Sequence, residues 1–118
     1  MAIITLTTDL GTKDFYQAVL KGTILNQFPE VNLVDITHEI PAFNIPQAAF
    51  IVKNAFHYFP KYTVHLIGVD TVYNESGRYV ALRYHEHYFV GADNGFFSLV
   101  FNEHPNEVVE LTILQEAQ

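Results

Sequence analysis

Ile3-Ile4-Thr5-Leu6-Thr7-Thr8-Asp9-Leu10-Gly11-Thr12-Lys13-Asp14 is a β-branched run that stops at a carboxylate and then a glycine. The pattern returns twice: Val31-Asn32-Leu33-Val34 runs into Asp35, and Val64-His65-Leu66-Ile67-Gly68-Val69 runs into Asp70. Short β-branched runs separated by helical stretches read as parallel strands of an α/β sheet, where ligands sit beyond the strands' carboxyl ends. One such aspartate can be a helix cap. Three of them, at the ends of three strands, predict the floor of one polar site.

Working outward, residues 3–8 form the first strand, Gly11 permits a tight turn, and Asp14 is a natural N-cap for the helix that follows. That helix is expected from about Phe15 to Phe28, with Phe15, Ala18, Val19, Leu25 and Phe28 at roughly helical spacing, and Pro29 stops it. A second strand covers 31–36. A second helix runs from near Pro46 to about Tyr58, burying Ala49, Val52 and Phe56 and turning Lys53 to water. Pro60 closes it, and 63–69 is the third strand. Two short alternating strands near 79–84 and 87–91 flank His85-Glu86, a hairpin signal. Ala92-Asp93-Asn94-Gly95 turns into a short helix from Phe96 to about Asn102, and a last strand falls near 107–113. The order predicts a three-layer αβα fold around a central, mostly parallel sheet with antiparallel additions. The polar tail after Ile113 does not resemble a finished fold terminus, so the chain is expected to be part of something longer.

At 118 residues the chain is one domain at most, and its 49% apolar and 14% aromatic content suffices for a core. A formal charge of −7 with a pI near 5.1 argues against nucleic acid or an anionic membrane as partner. Zero Cys removes disulfides and thiolate chemistry and suits a reducing cytoplasm; the six His are not spaced as zinc ligands. No signal peptide is expected, because Asp9 interrupts the apolar N-terminus, and no run approaches the roughly 20 residues of a membrane span.

Four constellations carry chemistry. In the first, Asp9 on a rigid strand end offers two oxygens able to accept both hydrogen bonds of a vicinal diol, as on a ribose. Asp14 reads first as a helix cap. In the second, His38 within Asp35-Ile36-Thr37-His38-Glu39 is either an acid, base or ligand, or a histidine held by backbone hydrogen bonds. Phe43 either flanks an apolar part of a ligand or packs in the core. In the third, Arg78 beside Asp70 would keep that carboxylate ionised, so that the pair orients a water; the bland reading is a surface ion pair pinning a loop. In the fourth, Asp93-Asn94-Gly95 is first a capped turn, whose N–H groups could also receive a hydroxyl or carboxylate. A Walker loop, a GxGxxG loop, serine-triad spacing and a zinc pattern are all missing.

Taken together, these segments resemble the N-terminal domain of the S-adenosylmethionine hydroxide adenosyltransferase family, which is related to the fluorinase and chlorinase enzymes. The carriers are Thr7 to Asp14, Lys21-Gly22, Val34 to Ile40, Phe59-Pro60, Thr63-Val64-His65, Val69-Asp70 and Val90 to Gly95. The resemblance implies attack of water on ribose C5′ of S-adenosylmethionine, giving adenosine and methionine without a cofactor or metal. It implies catalytic roles for Asp70 and Arg78, and substrate contacts for Asp9, Asp14, Phe43, Thr71, Tyr73 and Asn94. The halogenases carry a tyrosine where Asp70 stands, which favours the hydroxide reaction. The family's third water-handling residue, a His in a Phe-His-Gly-Arg-Asp segment, is absent from this chain, as is its C-terminal β-barrel domain. Residues 1–118 are thus expected to be an incomplete N-terminal domain supplying part of an inter-subunit site in a homotrimer. Two rival readings are a non-catalytic nucleoside- or S-adenosylmethionine-binding module, and a Mg²⁺-dependent phosphohydrolase using Asp9, Asp14 and Asp70. The first is motivated by Thr71-Val72-Tyr73-Asn74, where the family commonly has Pro-Gly-Val-Gly.

Overall fold

The computed structural model describes residues 2–42, 44–69 and 78–111. In chain order these form β1 (Ile3–Thr8), α1 (Tyr16–Gln27), β2 (Asn32–Thr37), α2 (Ile45–Ala55), β3 (Val64–Gly68), β4 (Tyr79–Tyr84), β5 (His87–Ala92), α3 (Phe96–Val100) and β6 (Glu107–Leu111). A 3-10 turn, Phe56–Tyr58, extends α2. The strands make one mixed sheet in the order β2-β1-β3-β5-β4-β6, an α/β fold as expected. β1 pairs in parallel with β2 and β3, β3 in parallel with β5, and β4 runs antiparallel to both β5 and β6. The chain steps from β1 to β2 in one direction and from β2 past β1 to β3 in the other. Right-handed crossovers therefore place α1 and α2 on opposite faces.

The face under α2 and α3 holds the main core. Ile67, Val80, Leu82, Tyr84 and Phe89 of the sheet meet Ala48, Ala49 and Val52 of α2, Phe56, and Phe96, Phe97 and Val100 of α3. Phe89 stands edge-on to Phe56 and Phe101, at centroid distances of 5.2 and 5.1 Å, a geometry in which ring edges meet ring faces favourably. Asn44 caps α2 by accepting the N–H of Gln47, and Pro46 sits in the first turn where its missing N–H costs nothing. The β4–β5 hairpin closes through His85 and Glu86, both at positive φ (50° and 64°), the twist a two-residue hairpin turn requires.

Among the described glycines, Gly91 is the most tightly packed. A Cβ there would lie 3.0 Å from the Ile67 carbonyl oxygen and 3.2 Å from its Cβ, so backbone would have to move. Gly91→Ala is expected to cost about 1–3 kcal/mol as overpacking, read as a lowered urea midpoint at unchanged m-value; an unchanged midpoint would show that the β3–β5 spacing is soft.

α1 departs from the expected pattern. Phe15, Val19, Leu25 and Phe28 are exposed, at 63%, 56%, 41% and 61%, and Ala18 is exposed too. Gln17, Leu20, Lys21 and Ile24 are the half-buried stripe instead. Apolar residues lie all round this helix, so spacing alone does not select a face, and Lys21 turns inward to meet a carboxylate on β2. Asp14 is likewise not the cap of α1. The helix begins one residue later, behind Phe15, with no side-chain cap bond, and Asp14 Oδ1 accepts the N–H of Phe15 itself. Among the described residues no helix is long and apolar enough to cross a membrane.

Candidate active site

The carboxyl ends of β1, β3 and β5 lie at one end of the sheet, and the switch point where crossovers diverge falls between β1 and β3. Crevices of this kind are where open α/β sheets take their ligands. Thr8 pairs with Gly68 across that point, and the next residue, half-buried Asp9, sends its N–H toward the Gly68 carbonyl at 3.4 Å. Gly11, at φ +77°, adopts the left-handed conformation that lets its N–H reach the His38 carbonyl at 2.7 Å. On the other flank, Asn94 donates from Nδ2 to the Val69 carbonyl at 3.0 Å and accepts the N–H of Phe96. Asn94 thus braces the turn into α3 and ties it to the end of β3, as expected of a capped Asp93-Asn94-Gly95 turn.

Arg78 stands at the start of β4, which runs antiparallel to β5, so it meets the same end of the sheet. Its Nε lies 3.6 Å from Asp93 and 3.5 Å from Glu110, and its carbonyl accepts the Asp93 N–H. Asp70, Thr71, Tyr73 and Phe43 lie outside the described residues. Of the expected set, the structure thus gathers Asp9, Asn94 and Arg78 around the ends of β1, β3 and β5, while exposed Asp14 sits farther along the loop toward α1.

Asp35 corrects the picture of three strand-end carboxylates. β2 continues to Thr37, and alternation turns Asp35 to the α1 face, opposite Leu6. There Lys21 Nζ donates to Oδ2 at 2.6 Å, and His38 Nε2 meets Oδ1 at 2.7 Å. Partial burial opposes the charge on Asp35, but the hydrogen bonds from Lys21 and His38, with the Lys21 charge, outweigh it and hold the carboxyl below its ordinary range. His38, buried at 3% exposure, is structurally held as the bland reading has it, yet by side chains rather than backbone: its Nδ1 lies 2.6 Å from Thr8 Oγ1. Sequence reading did not find Thr8 or Lys21 in this cluster. The i,i+3 spacing of Asp35 and His38 across the end of a strand was the one available signal.

A second buried chain crosses the sheet centre, with Thr5 Oγ1 2.7 Å from His65 Nδ1 and His65 Nε2 3.0 Å from His87 Nδ1. Burial among Phe56, Phe59 and Phe89, with His87 close by, pushes His65 down to about 3. Among the described residues no group of three or more His, Asp or Glu is placed to hold a metal ion. A cleft of about 620 Å³ opens at the opposite end of the sheet, between Ala2, Ile4, Phe28, Val31 and Val64. It carries apolar side chains and none of the expected site residues.

Fold and site define a doubly wound α/β domain with an acidic group at its switch point. Residues 4–118 match the sequence pattern of the SAM hydroxide adenosyltransferase N-terminal domain, and the chain belongs to that family. It is 43% identical over 103 residues to an (R)-S-adenosyl-L-methionine hydrolase of Methanocaldococcus jannaschii, covering 83% of this chain and 39% of that protein. A fluorinase of an Actinoplanes species is 32% identical over 81 residues, covering 69% and 27%. A crystal structure of an uncharacterized conserved protein from Thermotoga maritima superposes with a TM-score of 0.84 at 34% identity, over 93% of this chain and 43% of that one. The chain spans about two fifths of the curated hydrolase it matches.

Proposed function

We propose that this chain is the N-terminal part of an S-adenosylmethionine hydrolase that forms adenosine and methionine. The observation that supports it is the seating of Asp9 directly after β1 at the switch point, beside the end of β3, in a chain similar to named hydrolases. Asp9 accepts the two ribose hydroxyls, and Asp70 and Arg78 orient the attacking water, whose oxygen bonds to C5′ as the C5′–S bond breaks. The electron pair goes to sulfur, which leaves neutral, and the water's proton is released. A sulfonium is electrophile enough that alignment and desolvation suffice, so no metal or cofactor enters the scheme. Phe43 lines the C5′ pocket, and Asp14, Thr71, Tyr73 and Asn94 complete the substrate contacts.

The site is completed by a C-terminal β-barrel domain and a neighbouring subunit in a homotrimer in the cytoplasm, with neither nucleic acid nor membrane as partner. The exposed Phe15, Tyr16, Val19 and Phe28 are surface that such an assembly would cover. Incubating S-adenosylmethionine with the full-length protein and separating the products tests the reading. Adenosine and methionine in equal amounts are expected, with loss of turnover in Asp70→Ala. Absence of both products, or an Asp70→Ala protein that turns over like wild type, removes it.

A further inference from the structure

Resting on that reading, we infer that Lys21, Asp35, His38 and Thr8 form a hydrogen-bonded relay whose task is to aim Asp9 at the ribose. The links run without a gap: Lys21 Nζ to Asp35 Oδ2 at 2.6 Å, Asp35 Oδ1 to His38 Nε2 at 2.7 Å, and His38 Nδ1 to Thr8 Oγ1 at 2.6 Å. Thr8 Oγ1 then accepts the N–H of Leu10 at 3.3 Å, so the last link spans Asp9 itself. One assignment of protons satisfies every member. Nε2–H of His38 donates to Asp35, the Thr8 hydroxyl donates to Nδ1, and the Thr8 oxygen keeps a lone pair for Leu10.

The order carboxylate, imidazole, hydroxyl is that of a hydrolase triad, but the chemistry is not. Thr8 is 1% exposed, so its hydroxyl meets no electrophile, and the imidazole at 3% exposure is sealed from solvent. What the relay does reach is backbone on both sides of Asp9. Beyond the Thr8–Leu10 link, the Gly11 N–H is held by the His38 carbonyl, the Thr8 carbonyl faces the Ile40 N–H at 3.5 Å, and Thr12 Oγ1 donates to Glu39 at 2.7 Å. Asp9 thus sits on a turn laced to the β2–α2 loop, with His38 holding it by ring and by carbonyl. A carboxylate that must meet two hydroxyls at once loses one of them after a small rotation of its mount, so a rigid turn is worth more here than an added contact. His38, Thr8, Asp35 and Lys21 are positioning residues, and the substrate never touches them.

Steady-state kinetics of the full-length protein on S-adenosylmethionine separate this role from simple support of the fold. Thr8→Val, which keeps shape and removes the hydroxyl, is expected to raise KM about tenfold, the equivalent of one lost hydrogen bond, while kcat moves less. Thr8→Ser should stay near wild type. His38→Asn carries its amide at the Nδ1 position and retains the Thr8 link, so its KM should lie closer to wild type than that of His38→Gln, whose amide reaches only Asp35. Should Thr8→Val fail to fold, the order of the two His38 variants and a smaller KM rise in the more exposed Lys21→Met decide the matter. A network that merely supports the fold would lower Tm in these variants and leave KM alone, and that result overturns the inference while Asp9→Ala still loses affinity. If Asp9→Ala also keeps the wild-type KM, the ribose role of Asp9 falls and the relay falls with it.

Discussion

Asp9→Ala in the full-length protein is expected to lower kcat/KM for S-adenosylmethionine by about 10²–10³-fold, most of it in KM. A carboxylate accepting two hydroxyl donors makes two charge-assisted bonds of about 1.5 kcal/mol or more each, and every 1.4 kcal/mol is a factor of ten. Those bonds persist from bound substrate to transition state, because the ribose diol does not react, so their loss is a loss of uniform binding. Asp9→Asn sharpens the test. The amide keeps the volume and the turn but replaces one acceptor with a donor, and it is expected to retain part of the affinity. Circular dichroism and Tm of both variants should match wild type, since half-buried Asp9 lies outside the apolar core. A folded Asp9→Ala protein with unchanged KM would remove Asp9 from the substrate and with it the strongest structural support for the proposed reaction.

The second large effect concerns acid stability. His65 has no exposed surface, and burial, then the neighbouring His87, lower it to about 3 from an unfolded value near 6.5. Above pH 6.5 neither state binds the proton, so His65 contributes nothing to the pH dependence. Between about 6.5 and 3 the unfolded chain takes a proton that the folded one refuses, and stability falls as pH falls; below about 3 the penalty levels off. From pH 6.5 to 4 the expected loss is on the order of 3 kcal/mol. His87 is lowered as well, by burial first and then His57 and His85 against an opposing Glu86, and acts in the same direction. Urea titrations at several pH values should show this slope, and His65→Asn, which keeps an acceptor for Thr5 and cannot titrate, should flatten it. Equal slopes in the two proteins would show that other groups govern the acid limb.

Much of the fold was legible because its signals are local. β-branched runs bounded by Pro29 and Pro60 marked β1, β2 and β3 to within a residue or so at each end, and the alternating runs on either side of His85-Glu86 marked the hairpin. The buried stripe of α2 was legible because its polar face is clear: Lys53 and Asn54 face water while Ala49 and Val52 do not. α1 was misread for the converse reason. With Phe15, Tyr16, Val19, Leu20, Ile24, Leu25 and Phe28 distributed around it, no apolar stripe stands out, and its rotation is settled by Lys21 reaching Asp35 fourteen positions away.

By itself, the order of residues determined an α/β sheet, the strand-end position of Asp9 and the kinship with its family, since each depends on short patterns or on their succession. Only the tertiary structure decided that Asp35 is a strut rather than part of the pocket floor. It also decided that His38 is wired to Thr8, and that β5 rather than β4 lies against β3. The reason is physical. Strand propensity and turn geometry act over a few residues and leave their mark in sequence, whereas the partner of a buried polar side chain is fixed by which strands become neighbours and which face each residue shows, and both are set only when the sheet closes.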